Sequence, residues 1–201
     1  LMEIPTLILM PYFIFSGINT INSVIYCFLG LYTAHYFNRT IIFPFRLKLK
    51  SKKIPLHIVF SAGFFNLINT FFLGYHFGNI KIYQENWFTT PYFIIGIIIF
   101  FIGMLINVKS DNVLINLRKK NKEEYVIPKG GLFKYISCPN HFGEIIEWLG
   151  FAILTWSFAG FSFFIWTACN LIPRSIKHHN WYHDKLKNYP KNRKAIIPYL
   201  L

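Results

Sequence analysis

Charged residues are scarce in this sequence, and acidic residues are the scarcest of them. They make up 14% of the 201 positions, and only eight are Asp or Glu. A soluble domain carries roughly 25% charged residues, so the deficit argues against a soluble chain. The three cysteines (Cys27, Cys138 and Cys169) fit neither a disulfide framework nor a zinc site by their spacing. No signal-peptide pattern is present, and Leu1 enters an apolar segment almost at once, so we expect an N-terminal portion to be missing.

Apolar and aromatic residues are abundant instead, at 54% and 20% of the chain. A membrane-spanning helix needs about 20 consecutive apolar residues. Six segments are candidates, at roughly 4–17, 20–45, 55–77, 91–108, 140–158 and 161–182, with the fourth helix continuing to about Lys120. The sequence therefore predicts an all-α, polytopic membrane helix bundle. We expect residues 1–201 to form a single domain with a cofactor and substrate cavity inside the bundle.

The net charge of +13 would suggest nucleic-acid binding in a soluble protein, but here the basic residues lie between apolar runs. Three groups occur, at 46–53, 118–134 and 174–194, whereas the turn near Ile18, the 78–90 loop and a predicted turn at Ala159-Gly160 hold only Lys81. Six alternating spans place all three groups on one side. The positive-inside rule makes that side, and the C-terminus, cytoplasmic.

Polar residues within membrane helices are costly and usually functional. Residues spaced i, i+4, i+7 and i+11 share one helix face, and four such sets lie near the predicted cytoplasmic helix ends. We expect them to converge on one polar cavity. The four sets are Asn107, Asp111 and Arg118; Asn140, Glu144 and Glu147; Arg174, His178 and Tyr182, with Trp181 beside them; and His35 and Arg39, with Tyr36 on an adjacent face.

Simpler interpretations remain open for single members of these sets. Asp111 and Arg118 fit a surface ion pair at the membrane edge equally well. Glu144 suits the positive end of a helix dipole, but Glu147, one turn deeper, does not. His178 and His179 have no Cys or acidic residue at metal-ligand spacing, so we predict no metal site.

The segment 125–134 carries Pro128, two glycines and two lysines. Glycine lets a backbone approach a ligand closely, and the positive charge suits a phosphate-bearing ligand. No GxGxxG motif follows a predicted strand, so a Rossmann domain is not supported. A nucleotide cofactor would have to bind among the helices.

Five stretches of the chain carry a resemblance, in order, to a known family. They are MEIPTLILMP, AHYFNRT, INVKSDNVLINLR, YVIPKGGLFKYISCPNHFGEIIEWLGFAILTWS and RSIKHHNWYHDKLKNYPKNRKAIIPYLL. Together they resemble the steroid 5α-reductases, over nearly the whole chain. The family usually has seven spans, one more than the six predicted here.

The resemblance implies an NADPH-dependent membrane reductase of the double bond in 3-oxo-Δ4-steroids or related lipid enones. It implies that Glu3 and Tyr36 hold and polarise the substrate ketone. It also assigns cofactor contacts to eight residues: Asn107, Asp111, Arg118, Asn140, Glu144, Arg174, His178 and Tyr182. Tyr36 would donate a hydrogen bond to the developing enolate. Glu147 is expected to support the site through a basic residue such as Arg174.

Two positions depart from the family pattern, because Val126 and Ser61 stand where basic residues are common. Both changes weaken the case for NADPH over NADH, and Lys129 or Lys109 would have to compensate. An enoyl-CoA or polyprenol reductase, and a methyltransferase using S-adenosylmethionine, remain alternatives. We expect a monomer in contact with membrane lipids and no nucleic acid. It would lie in the endoplasmic reticulum membrane of a eukaryote or the inner membrane of a bacterium.

Overall fold

The computed structural model describes residues 3–46, 55–120 and 125–201. These residues form helices and connecting loops, with no β-strand among them beyond one isolated bridge. The chain divides into two compact units, Leu1–Phe93 and Ile94–Leu201. The all-α prediction is confirmed, and a helix occupies each of the six predicted segments.

The described residues of the first unit contain the α-helices α1 at Ile4–Phe15, α2 at Ser23–Phe37, α3 at Phe43–Arg46 and α4 at Leu56–Tyr75. Of these, α3 is short and follows a π-helical turn at Asn38–Ile42. Another π-helical turn, His76–Ile80, extends α4.

Helices α1 and α4 run parallel and touch through glycine. A Cβ added at Gly74 would clash with the side chain of Phe13, and one added at Gly78 would lie 2.8 Å from Ile14 O. The buried stripe of α1 is Thr6, Met10 and Ile14, at helical spacing. The opposite face of α1 is exposed and apolar, as expected of a helix in contact with lipid.

Helix α2 begins at a capped residue and buries one continuous stripe. The Asn22 side chain accepts a hydrogen bond from Ile25 N, the usual way to satisfy a donor at a helix start. Phe28 on the buried stripe packs against Phe77 and Tyr83, with ring centroids 5.5 and 4.9 Å apart. The stripe then continues toward the C-terminal end of α2 through Tyr32, His35 and Tyr36.

The second unit is built on three long helices, each antiparallel to the next. They are α5 at Pro91–Lys120, α6 at Pro139–Thr155 and α7 at Phe158–Lys185. The predicted extension of the fourth span to Lys120 is confirmed. Trp148 anchors the core between α6 and α7, since its ring lies 4.4 Å from that of Phe163.

Helices α5 and α6 approach closely because each presents glycines seven residues apart. Gly96 and Gly103 on α5 lie against Leu154 and Glu147, while Gly143 and Gly150 on α6 lie against Asn107 and Phe100. Small residues at such crossings let the backbones of membrane helices touch. The glycines thereby hold the two polar faces of α5 and α6 side by side.

The turn between α6 and α7 differs from its prediction at Ala159-Gly160. Helix α6 ends at Trp156, which adopts a left-handed conformation with φ of 43°. Ser157 then caps α7, its side chain accepting a hydrogen bond from Gly160 N at 3.0 Å. The turn lies at Trp156 and Ser157 because the Ser157 side chain satisfies a free N–H at the start of α7, so the helix begins before Ala159.

Within residues 3–46, 55–120 and 125–201, two helices are long and apolar enough to cross a membrane: Leu56–Ile80 and Pro91–Arg118. In each helix, only 22% of the most apolar 18-residue stretch is buried inside the protein. This share is low for the core helix of a soluble protein. The antiparallel order of α5, α6 and α7 places Arg118, Lys129, Lys134 and the basic residues of 174–194 at one end of the second unit. The number of spans and the cytoplasmic assignment stay predictions, and most of the 46–53 group lies outside the described residues.

Candidate functional site

The first unit buries a polar cluster around Tyr32. The Tyr32 and Tyr36 rings are 4.6 Å apart, and the Tyr32 hydroxyl lies 3.5 Å from Thr70 Oγ1. The Glu3 carboxyl acts electrostatically on the same hydroxyl. The structure thus brings both residues of the predicted ketone-binding pair, Glu3 and Tyr36, next to one tyrosine.

Local structure explains how each residue reaches this cluster. Glu3 immediately precedes α1, and its backbone carbonyl accepts a hydrogen bond of 2.6 Å from the Thr6 side chain. Tyr36 lies one helical turn after Tyr32, so both fall on the buried stripe of α2. The π-helical turn Asn38–Ile42 follows directly, and such turns are frequent at functional sites.

Helix α4 supplies a polar residue that the sequence analysis did not single out. Asn69 is 94% buried, and its Nδ2 makes no hydrogen bond within the described part of the chain. The Asn69 amide lies close enough to the Tyr32 hydroxyl to interact with it electrostatically. The position of Nδ2, however, is not that of a hydrogen-bond donor to this hydroxyl. The signal was present in the sequence: Asn66, Asn69 and Thr70 share a helix face inside an apolar run.

In the second unit, the predicted faces of α5 and α6 meet. Asn107 Nδ2 donates to the backbone carbonyl of Asn140 at 3.0 Å. Asp111 is buried one turn beyond Asn107, and Glu144 is half-buried one turn beyond Asn140. Asn107 and Asn140 therefore join the two helices, and the roles of Asp111 and Glu144 stay predictions.

The predicted residues of α7 lie beside the end of α5. Arg118, Arg174 and Lys177 all act electrostatically on His178, and Arg118 also acts on Tyr182. Arg118, Arg174 and His178 are exposed, so the group is a basic patch at the helix ends. An exposed basic patch of this kind suits an anionic group.

His141 and Ser175 join α6 to α7 within this region, and the sequence analysis missed both. His141 Nδ1 lies 2.8 Å from Ser175 Oγ, and its ring is 6.1 Å from that of His178. Glu147 is wholly buried, at the point where Gly103 of α5 lies against the Glu147 backbone. Its predicted partner Arg174, in contrast, is exposed. The pairing of Glu147 with Arg174 stays a prediction, as does the convergence of all four polar faces on one cavity.

The chain end docks onto the loop before α6. Ser137 N donates to Lys194 O at 2.8 Å, and Lys194 N donates to Tyr135 O at 2.9 Å. The Ser137 hydroxyl lies 2.6 Å from His179 Nδ1 and 2.7 Å from the Tyr189 hydroxyl. These bonds fix the start of α6, and with it Asn140, against the tail.

Arg193, in this tail, was also missed. It is 94% buried, its Nη2 donates to Pro128 O at 2.9 Å, and its guanidinium lies over the Tyr189 ring. Its Nε and Nη1 are buried and make no hydrogen bond to any described residue. An unsatisfied buried cation is costly, so these donors fit an anionic ligand group.

The glycine loop beside Pro128 has the predicted open backbone. Gly130 and Gly131 have φ of 93° and 50°, and a Cβ at either would meet nothing within 4 Å. Two departures from the family pattern have visible consequences. Val126 is exposed, and the Ser61 hydroxyl donates to His57 O within its own helix, so neither side chain supplies positive charge.

Comparison with known proteins agrees with this arrangement. The family profile for 3-oxo-5-alpha-steroid 4-dehydrogenase matches residues 52–201. Steroid 5-alpha-reductase DET2 of Solanum lycopersicum is 45% identical over 203 residues, covering 99% of this chain and 78% of that protein. The DET2 protein of Arabidopsis thaliana is 44% identical over 207 residues, 99% and 79% of the two chains. The 3-oxo-5-alpha-steroid 4-dehydrogenase 1 of Bos taurus is 42% identical over 173 residues, 86% and 67% of the two chains.

These matches define an oxidoreductase that acts on CH–CH groups. The chain belongs to the 3-oxo-5-alpha-steroid 4-dehydrogenase family. The resemblance inferred from the sequence motifs is thereby confirmed.

Proposed function

We propose that this protein is a membrane-embedded, NADPH-dependent reductase of the C4–C5 double bond in a 3-oxo-Δ4-steroid or a related lipid enone. Its similarity to named steroid 5-alpha-reductases along nearly the whole chain carries the proposal. The placement of Tyr36, which is buried, and of Glu3, which is partly exposed, near Tyr32 supports it. Residues 1–201 act as one catalytic domain.

In this proposal Tyr36 donates a hydrogen bond to the ketone oxygen of the substrate. Reduction of a conjugated double bond builds negative charge on that oxygen, and a fixed donor stabilises the charge. Tyr36 is held by ring packing on Tyr32, so its hydroxyl needs little reorganisation. Glu3 holds the hydrogen-bonding arrangement around the ketone.

The cofactor, when bound, supplies the hydride, and the protein supplies binding and orientation. Asn107, Asp111, Asn140 and Glu144 are the polar side chains that grip its ribose and carboxamide groups. A carboxylate such as Glu144 is a strong acceptor for hydroxyl and amide donors. Positive charge for the phosphates comes from Arg118, Arg174 and Arg193, and His178 and Tyr182 lie beside them as hydrogen-bonding groups. Because Ser61 and Val126 are uncharged, these residues decide the preference for NADPH.

We also propose that the protein lies in the endoplasmic reticulum membrane of a eukaryote, or the inner membrane of a bacterium, as a monomer with a cytoplasmic C-terminus. The long apolar faces of α4 and α5 support insertion. The basic residues clustered at one end of the second unit support the orientation.

The test is turnover by purified protein in detergent. NADPH or NADH is supplied with a 3-oxo-Δ4-steroid, an enoyl-CoA or a polyprenol, and nicotinamide absorbance and product mass are followed. We expect reduction of the steroid ketone with NADPH. Turnover of only enoyl-CoA or polyprenol, or binding of S-adenosylmethionine in place of NADPH, would replace the proposal with the corresponding alternative.

Tyr36→Phe tests the assigned role, because it removes one hydroxyl and keeps the ring. We expect kcat to fall by about 10²- to 10³-fold, the usual effect of losing one donor to a developing oxyanion. The Kd for NADPH should not change. If the variant loses NADPH binding instead, the role assigned to Tyr36 is wrong.

A further inference from the structure

The amide of Asn69 is a buried polar group of the described residues to which the proposed chemistry gives no role. It lies on the buried face of α4 with Thr70, whose hydroxyl is 3.5 Å from that of Tyr32. Its Nδ2 is inaccessible to solvent and makes no hydrogen bond among the described residues. The Glu3 carboxylate also interacts electrostatically with the Tyr32 hydroxyl.

A buried amide donor of this kind is costly to leave unsatisfied, and native structures rarely keep one without a reason. Asn66, one turn away on the same face, is buried to a similar degree and therefore provides a matched comparison. Simple helix packing would be served better by leucine at position 69. A ligand oxygen bound beside Tyr36 would accept a hydrogen bond from Asn69 Nδ2 and so satisfy that donor.

We propose that Asn69 Nδ2 is a second donor to the substrate's ketone oxygen, acting beside Tyr36. This inference rests on the proposed function, since it assumes a ketone at the Glu3–Tyr36 pair. A carbonyl oxygen has two lone pairs and accepts two hydrogen bonds. Two donors from different helices, α2 and α4, fix the orientation of the ketone and also stabilise the negative charge that develops on its oxygen. Asn69 thereby selects ketone substrates.

The ketone itself provides the test. Binding of a 3-oxo-Δ4-steroid and of its 3-deoxy analogue is measured in the presence of NADPH, for wild type, Asn69→Leu and the matched control Asn66→Leu. The deoxy analogue has the same apolar body and no acceptor. We expect Asn69→Leu to weaken binding of the ketone by about five- to tenfold, the effect of one neutral hydrogen bond, and to leave the deoxy analogue unchanged. Asn66→Leu should change both affinities equally.

An Asn69→Leu protein that prefers the ketone as strongly as wild type overturns the inference and leaves the proposed function intact. A wild type that neither reduces nor prefers the ketone overturns both.

A second measurement avoids substitution at position 69. The infrared band of a ¹³C-labelled ketone is recorded on Tyr36→Phe, where we expect it below its position in an apolar solvent, because Asn69 still donates. A band at the apolar-solvent position would also overturn the inference.

Discussion

The contact between α5 and α6 predicts that one methyl group at Gly103 disturbs both stability and cofactor binding. A Cβ at this position would lie 2.6 Å from Gly143 O and closer still to Glu147 N. Both neighbours are backbone atoms, so no side chain can move aside. Relief of the Gly143 contact alone requires the helices to separate by roughly 0.8 Å, from 2.6 Å to the 3.4 Å of ordinary contact, and the Glu147 contact requires more.

The magnitude follows from this displacement. Overpacking of this kind costs about 1–3 kcal/mol. At about 2 kcal/mol the Tm of a chain of this size falls by roughly 4–8 °C. The same separation stretches the 3.0 Å bond from Asn107 to Asn140 beyond hydrogen-bonding range. Asn107 and Asn140 are proposed cofactor contacts, so we expect their displacement to cost about 1 kcal/mol of binding, which weakens NADPH affinity roughly fivefold.

Gly103→Ala is therefore compared with Gly63→Ala and Gly30→Ala, by thermal unfolding in detergent and by NADPH titration. Gly63 and Gly30 lie within helices α4 and α2, and an added Cβ meets nothing within 4 Å at either. Alanine favours a helix over glycine by about 0.5–1 kcal/mol, so both controls should be as stable as wild type or slightly more. A Gly103→Ala protein with the Tm and NADPH affinity of these controls would refute the reasoning.

Three further predictions concern single side chains. Glu144→Gln removes a charge without changing size, and we expect the Kd for NADPH to rise about tenfold or more through loss of a charge-assisted hydrogen bond; an unchanged Kd would remove Glu144 from the cofactor contacts. Arg193→Met should weaken NADPH binding about tenfold, whereas Lys191→Met, at an exposed position, should not; equal affinities of the two variants would contradict the phosphate role. Burial raises the pKa of the Cys138 thiol to about 11, so the thiol stays protonated at pH 8. In a variant with Cys138 as the single cysteine, N-ethylmaleimide should therefore modify the thiol only after unfolding. Rapid modification of the folded protein would show that the thiol is accessible.

Much of the fold was predictable because it depends on local patterns. Apolar runs of helical length predicted a helix in each segment, and the extension of α5 to Lys120 was also foreseen. The faces of Asn107 and Asn140 follow from a repeat of 3.6 residues per turn, which holds before any tertiary contact forms. The turn predicted at Ala159-Gly160 is wrong, because Ser157 caps α7 and the helix already includes both residues.

The sequence by itself determined the helices, their polar faces, the glycine loop near Pro128 and the resemblance to a reductase family. Each depends on residues within a few turns of one another. Only the tertiary structure decided that Asn69 of α4 lies beside Tyr32 of α2, and that Arg193 of the tail reaches Pro128. Those contacts join residues 37 and 65 positions apart, so they depend on how helices and tail pack. No local periodicity carries that information.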